Sequence, residues 1–445
     1  MGRSKLSTRS VRTLRRALAF GGVALVTLTG AIAAHSAGNA STTTLKLWMA
    51  SGTAQETGIA DLVKKFEAAH KGVKVQVTYK AFADYTKTIP LRLASPNSPD
   101  VLQGNQAYGL DSTLVKRKLI IPIDKYAQQY GWTKLYGPAF LSQYKLRADG
   151  NWDGKTALYG VGHHVDFVGV FYNKAKLSEL GFAGPPKTLA EFEAVLAKAA
   201  AAGERGYLFG NQDGISGTWV LGSLIGHYGN AGYVRNWLNG KPGTTWVNSA
   251  NRNATNKLLD WVKKGYVTDD FNGVPYPDSI TAFTKGEGVF LVTGSWVAGD
   301  VLAKLGKDAG FVNFPPGPSG KYQGIGAGSL PWHISARTSN PDLAAELVDT
   351  LINAKAGPVL MKHGRIPSFA QSAKAPNALL NEVAAAWQQV RKDSGQLLFI
   401  DWSTTTMLTE LERGIQEVLG EKISTDEFLT RTQKNWSDFQ KTWKT

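Results

Sequence analysis

Three short runs decide the fold class: Leu45-Lys46-Leu47-Trp48-Met49, then Val73-Lys74-Val75-Gln76-Val77-Thr78-Tyr79, then Ser98-Pro99-Asp100-Val101-Leu102. The first reads as a strand that runs into a small polar loop, Ala50-Ser51-Gly52-Thr53. Between the first and second runs, Ile59, Leu62, Val63 and Phe66 recur at spacings of three and four, the period of a helix with one buried face. The second run alternates with period two, as a half-buried strand does. The third opens a short buried strand that ends in the polar loop Gln103-Gly104-Asn105-Gln106. Strand–helix–strand alternation predicts an α/β fold with a mostly parallel sheet and helices on both of its faces. Ligands of such sheets lie outside the carboxyl ends of the strands, so the loops after each strand are the segments to watch.

The pattern continues downstream. Phe167-Val168-Gly169-Val170-Phe171-Tyr172-Asn173 reads as another strand, and Thr188 with Glu191 makes a capping box for a helix carrying Leu189, Phe192 and Leu196. Residues 376–392, 404–419 and 425–443 read as three closing amphipathic helices. The last sets Phe428, Thr432, Trp436, Phe439 and Trp443 along one stripe, which predicts a core face. No internal repeat or low-complexity linker interrupts the chain.

Composition narrows the possible functions. With 445 residues, 43% of them hydrophobic and 19% charged, the chain is globular and large enough for more than one core. It has 13 tryptophans and no cysteine, which excludes a disulfide framework, a thiolate nucleophile and Cys-based metal sites. The formal charge of +15 owes six of its cations to residues 1–40, leaving 44 basic against 35 acidic residues. That excess is scattered, and its densest run is only Lys116-Arg117-Lys118, so it predicts a solvated surface and no nucleic-acid partner. A basic stretch ending in Arg15-Arg16, an apolar run from Ala17 to Ile32 and small residues to Ala40 form the three regions of a secretory signal. Cleavage near Ala40 would make Ser41 the first mature residue, and with no cysteine the mature chain is not expected to be a lipoprotein. Export through the general route is expected, because the residues around Arg15-Arg16 match a twin-arginine signal poorly.

Catalytic motifs do not emerge. There is no phosphate-cradling glycine loop, and Gly324, Gly326 and Gly328 lack the spacing of a dinucleotide turn. Those alternating glycines predict a backbone that passes close to a ligand or to another lobe. His163 and His164, with Asp166 nearby, are the best metal candidates, yet adjacent strand residues point to opposite faces, so no metal site is expected. No cofactor is implied.

Several segments, in order, resemble the carbohydrate-binding branch of bacterial extracellular solute-binding proteins, the maltose-binding-protein-like group that serves ABC sugar importers. The resemblance rests on Leu62-Val63-Lys64-Lys65-Phe66-Glu67, Ser98-Pro99-Asp100-Val101, Leu119-Ile120-Ile121-Pro122-Ile123-Asp124, Leu158-Tyr159-Gly160-Val161, Phe171-Tyr172-Asn173-Lys174, Gly184-Pro185-Pro186-Lys187-Thr188 and Phe283-Thr284-Lys285-Gly286-Glu287 with Gly294-Ser295-Trp296. It covers nearly all of residues 44–440. Gly162 stands where the family has proline, and Leu189 where it has tryptophan.

The resemblance implies a type II periplasmic-binding-protein-like fold of two α/β lobes, joined by hinge strands, with the ligand between them. On that template residues 41–162 form the first part of lobe 1 and 163–288 the first part of lobe 2. Residues 289–345 then return to lobe 1, and 346–445 close lobe 2. It further implies a non-catalytic monomer that binds a sugar, an oligosaccharide foremost, and delivers it to an ABC permease in the membrane. A sugar needs aromatic platforms and planar polar groups. The residues carried over are Gln55, Gln103, Asn105, His164, Asp166, Gln212, Asp213, Trp219, Trp296, Trp332 and Trp402, with Trp296 the foremost platform. A secreted carbohydrate-active enzyme and a same-fold binder of a non-sugar solute such as a polyamine are the competing readings; the latter predicts a cleft rich in Asp and Glu.

Overall fold

The computed structural model describes residues 42–50, 53–370 and 375–443, with the side chains of 53–57, 370, 442 and 443 outside that description. The expected leader over residues 1–40, Ser51 and the side chains of Gln55 and Trp443 therefore fall outside it. Along the chain the strands are β1 (Thr43–Ala50), β2 (Val73–Lys80), β3 (Val101–Gln103), β4 (Lys145–Leu146), β5 (Ala157–Leu158) and β6 (Val165–Asn173). They continue with β7 (Phe290–Gly294), β8 (Ala309–Val312), β9 (Gly324–Gly328), β10 (Trp332–Ile334) and β11 (Gln396–Leu397). Two main sheets result, one per lobe, with β4 and β5 forming a separate small hairpin.

The first sheet has the order β10-β3-β1-β2. Its three N-terminal strands run parallel, with Leu47 opposite Val77 and Val101, and only β10 runs antiparallel. Alternation along β1 sends Leu45, Leu47 and Met49 into a core that they share with Ile59, Leu62 and Phe66 of the helix Thr53–Ala69. The same core takes Ala344, Leu347, Val348 and Leu351 from the helix Pro341–Ile352.

The second sheet is organised around β6, which pairs antiparallel with β7 along one edge and with β9 and then β8 along the other. The mostly parallel sheet read from the N-terminal alternation therefore holds in the first lobe alone. In the second, β7, β8 and β9 each run against β6 and so run parallel to one another, with the helix Ala298–Leu305 carrying the chain back between β7 and β8. The Thr188 cap is present, with Oγ1 accepting from the Glu191 amide at 3.1 Å. Glu191 Oε2 reaches past it to the Lys187 amide at 2.7 Å. The closing helices span Ala378–Lys392, Met407–Leu419 and Thr425–Trp443, and Phe428, Thr432, Trp436 and Phe439 are buried as the stripe predicts. Among the described residues no helix is long and apolar enough to cross a membrane.

Three segments connect the lobes. Val161 bridges Trp332, the Ser329 amide donates to the His164 carbonyl at 2.8 Å, and His164 bridges Pro367. Strand pairing corrects the expected boundaries: β7, β8 and β9 all belong to the second sheet, so the chain does not return to the first lobe at residue 289. The apolar run Val289–Val292 sits inside the second lobe, fully covered, and the crossing falls instead between β9 and β10. Helices Pro341–Ile352 and Gly357–Lys362 belong to the first core, which moves the last crossing from residue 346 to about 364–367. The glycine run explains the earlier crossing. A Cβ on Gly328 would lie within 2.9 Å of Phe140 ring carbons and closer still to the Tyr144 hydroxyl, both on the first lobe. Gly162 is forced in the same way: a Cβ there would lie 2.3 Å from the Tyr144 hydroxyl and 2.6 Å from the Ser329 carbonyl. No proline fits while those groups occupy the space.

Candidate functional site

The lobes face one another through the loop after β3 and the short turn Ile400–Ser403. The Asn105 Nδ2 donates to Asp401 Oδ2 at 3.3 Å, and the Trp402 indole Nε1 donates back to Asn105 Oδ1 at 3.1 Å. Trp152 of the first lobe stands edge-on to Trp402, with ring centroids 6.4 Å apart. Tyr108 meets Phe439 in the same manner at 4.8 Å. The amide of Asn105 suits this position, because it satisfies a carboxylate and an indole at once.

The second lobe contributes an aromatic group on its side of the boundary. Trp219, one turn into the helix Ile215–Tyr228, lies edge-on to both Tyr276 and Trp296, each at 4.9 Å. The Trp296 Nε1 donates to the Tyr276 hydroxyl at 2.8 Å, and that hydroxyl shares a 2.7 Å hydrogen bond with Thr293 Oγ1. The indole of Trp296 covers Gly294, where a Cβ would collide with its six-membered ring. Glycine at the end of β7 thus sets the orientation of the ring. Trp296 and Tyr276 keep part of their surface open, whereas Trp219 is 8% exposed.

Carboxylates gather beside these rings. Asp213 precedes the helix that carries Trp219, and its Oδ1 accepts from the Ile215 amide at 3.3 Å. Gly214 packs against Glu412 of the helix Met407–Leu419 so closely that a Cβ there would lie 2.6 Å from the Glu412 Cα. Burial pushes the Asp401 carboxyl up to about 6 and the Glu412 carboxyl up to about 7. Asp213 is raised by the same cause. Lys87, exposed on the helix Phe82–Leu93 of the first lobe, lowers Asp213 and Glu412 and only partly offsets that rise.

At the hinge lies a third polar group. His164 Nε2 and Asp166 Oδ1 are 3.0 Å apart, and the Trp332 Nε1 donates to His163 Nδ1 at 3.2 Å. Arg365 is buried, with one long hydrogen bond from Nη1 to the Ser295 carbonyl at 3.5 Å. Its Nε and Nη2 have no partner among the described residues. A small void of about 10 Å³ beside it, lined by His164, Ser295, Arg365 and Trp387, has room for a single water. The expectation that His163 and His164 face opposite ways is corrected: their ring centroids are 4.4 Å apart. The reason is that residues 161–164 form a hinge with isolated bridges and no regular pleat. Among the described residues no group of three or more histidine or acidic side chains is arranged to hold a metal ion.

The structure therefore brings Asp213, Trp219, Trp296 and Trp402 onto the second lobe's side, with Asn105 of the first lobe meeting Trp402 across the boundary. Gln212 is exposed and held by its backbone, the carbonyl accepting from Gln416 Nε2 at 2.7 Å and the amide donating to the Val274 carbonyl at 3.0 Å. Gln103 is fully buried, its Oε1 accepting from the Ala50 amide at 3.0 Å. Trp332 is corrected from a platform to a core residue: it is 0% exposed and stacks on His163 inside the first lobe. His164 is likewise closed off at 1% exposed. Sequence reasoning missed Tyr276, Glu412, Trp152, Lys87 and Arg365. Only Tyr276 carried a signal, a tyrosine just after Gly273-Val274-Pro275 at the start of a helix.

Comparison with known proteins fits this geometry. A family model described as "Bacterial extracellular solute-binding protein" matches residues 61–389. The chain belongs to that family. A multiple sugar-binding protein of Streptococcus mutans is 25% identical over 315 residues, 66% of this chain and 68% of its own. A galactooligosaccharide-binding protein of Bacillus subtilis is 26% identical over 345 residues, 75% of each chain. Among solved structures, a chitin oligosaccharide binding protein superposes with a TM-score of 0.77 at 19% identity, covering 89% of this chain and 98% of its own. The two-lobe architecture of the family's sugar-binding members is the fold observed.

Proposed function

We propose that the protein captures a saccharide between its lobes outside the cytoplasmic membrane and hands it to an ABC import permease without altering it. The observation that carries this reading is the group Trp219, Tyr276 and Trp296, which sets partly open aromatic surface beside Asp213 at the interlobe boundary. Aromatic faces take the C–H faces of a pyranose, and the neighbouring carboxylates and amides take its hydroxyls. Trp296 is the platform, and Asn105, Asp401 and Trp402 report closure by joining the lobes directly. Ligand shifts the population to the closed form because contacts with both lobes exist only there. The leader over residues 1–40 directs export, and with no cysteine the mature chain works without a lipid anchor.

A thermal-shift screen against mono- and oligosaccharides tests the reading. Ligand at 100 times its Kd stabilises by about 2.7 kcal/mol, a rise of several degrees. A flat response across neutral, acidic and amino saccharides overturns it. One observation favours a hydrolase as the second reading: Asp401 and Glu412 are held above the usual carboxylate range, as a general acid is. New reducing ends after incubation with the best-binding oligosaccharide would establish that reading; none are expected.

A further inference from the structure

We propose that the saccharide taken by this cleft carries a protonated amine, and that Asp213 and Glu412 together receive it while the Trp219–Tyr276–Trp296 group holds the ring beside them. The proposal rests on the saccharide reading above and narrows it to one chemical class.

The first observation is a missing donor. Glu412 is 9% exposed, and its side chain makes no hydrogen bond or ion pair among the described residues. Its oxygens are not among the fully buried atoms, so this largely desolvated carboxylate opens toward the cleft and gains when donors or a cation compensate its lost hydration. The turn Asp213-Gly214 is in backbone contact with Glu412, which sets a second carboxylate beside the first. Asp213 itself has a single long bond, to the Ile215 amide at 3.3 Å.

The second observation is the charge balance. Asp213 and Glu412 feel Lys87 from the helix Phe82–Leu93, and among the described residues no ion pair joins Asp213, Asp401 or Glu412 to a cation. Tyr276 is neutral at physiological pH, its hydroxyl pushed well up by burial. Arg365 lies on the hinge side, where its charge is felt by Asp166 and Tyr276. The acids are raised by burial, and Asp213 and Asp401 raise Glu412 further. A neutral sugar offsets that rise only through the hydroxyls it donates, whereas an ammonium group adds a full opposite charge.

The third observation is the aromatic group. Electron-rich faces attract cations as well as C–H bonds, so a ring stacked there with its nitrogen toward Asp213 is favoured twice. Hydroxyls can satisfy either carboxylate singly, but two acids held side by side repel, and a cation between them relieves that repulsion directly.

The test is a calorimetric titration of the full mature chain with a glucosamine tetramer, its fully N-acetylated counterpart and a neutral glucose tetramer, at pH 7.0 and 5.0. The amine form should bind at least about tenfold more tightly than its acetylated twin at pH 7.0. That preference should shrink at pH 5.0, where the carboxyls hold their protons. Glu412→Gln, close in shape, should cut the amine-to-acetyl affinity ratio about tenfold, and Asp213→Asn should do the same if Glu412→Gln fails to fold. Equal or tighter binding of an acetylated or neutral tetramer overturns this inference and leaves the saccharide reading standing. Binding of spermidine with no tetramer bound overturns the saccharide reading, and binding of none of these probes overturns both. An unchanged ratio in both folded variants removes Glu412 and Asp213 as the receiving pair.

Discussion

Replacing Trp296 by alanine separates a binding role from a structural one. The indole is anchored by its Nε1 bond to the Tyr276 hydroxyl at 2.8 Å and by its edge contact with Trp219 at 4.9 Å. A tryptophan offers roughly 150–250 Å² of apolar surface, and a pyranose on one face covers about a third of it. At about 25 cal/mol per Å², that contact contributes between about 1 and 2 kcal/mol. Stacking adds about 0.5–1.5 kcal/mol more, and the gap left behind takes the total to about 2–4 kcal/mol. Saccharide affinity should then fall roughly 30- to 900-fold. Stability should change less, because the Tyr276 hydroxyl keeps Thr293 Oγ1 as a partner at 2.7 Å and the ring is only half-buried. A loss of about 1–2 kcal/mol is expected for that partial burial, a fall of several degrees in Tm. Trp296→Phe, which keeps a ring and loses the donor, should recover most of the affinity. The assay is a calorimetric titration with a melting curve of the same sample. A well-folded Trp296→Ala protein that binds within about threefold of the parent would refute the reasoning.

Other expectations follow from single sites. Gly162→Ala should destabilise by about 1–3 kcal/mol through contact with Tyr144 and Ser329, and Tyr144→Phe in the same chain should relieve part of it, read from denaturant midpoints. Asp401 titrates near 6 against an ordinary 3.8, so the native state holds that proton more tightly, and stability falls as pH rises from about 4 through about 6. Asp401→Asn should therefore raise the melting temperature at pH 7.5, by up to about 3 kcal/mol of stability, and make no difference at pH 4. Equal melting shifts at both pH values would remove that account. Chelation should leave affinity and melting unchanged, because Asp166 and Trp332 each already engage a nitrogen of the two hinge histidines. A loss with EDTA that zinc restores would show a metal at His163 and His164.

Local periodicity made the elements legible. The period-two run at Val73–Tyr79 became β2, and the three-and-four spacing of Ile59, Leu62, Val63 and Phe66 became a buried helix face. The stripe Phe428, Thr432, Trp436 and Phe439 is core for the same reason. These patterns depend on side chains a few residues apart on one element, which sequence displays directly. The lobe boundaries were less legible. Val289–Val292 looked like a hinge strand because it precedes Gly294-Ser295-Trp296, yet an apolar run pairs best inside a sheet, and the crossing went to the glycines that follow.

The site was legible only in part, and the reason is geometric. Asn105 meets Asp401 and Trp402 across a separation of almost three hundred residues, and Gly214 meets Glu412 across two hundred. Nothing near Glu412 in sequence distinguishes it from Glu410 or Glu417 on the same amphipathic helix. Those two pair with Arg431, while Glu412 alone turns to the Asp213 turn and is buried there. Trp332 failed in the opposite sense. As a tryptophan past a glycine run it had the composition of a platform, but β10 inserts it antiparallel to β3, so the first lobe closes over both of its faces. Composition selects residues able to bind a sugar; which of them keep an open face is fixed by strand pairing and by the acids that folding brings beside them. The strongest functional signal in the molecule, a largely desolvated carboxylate without a protein donor, is therefore one that no local reading of the chain can supply.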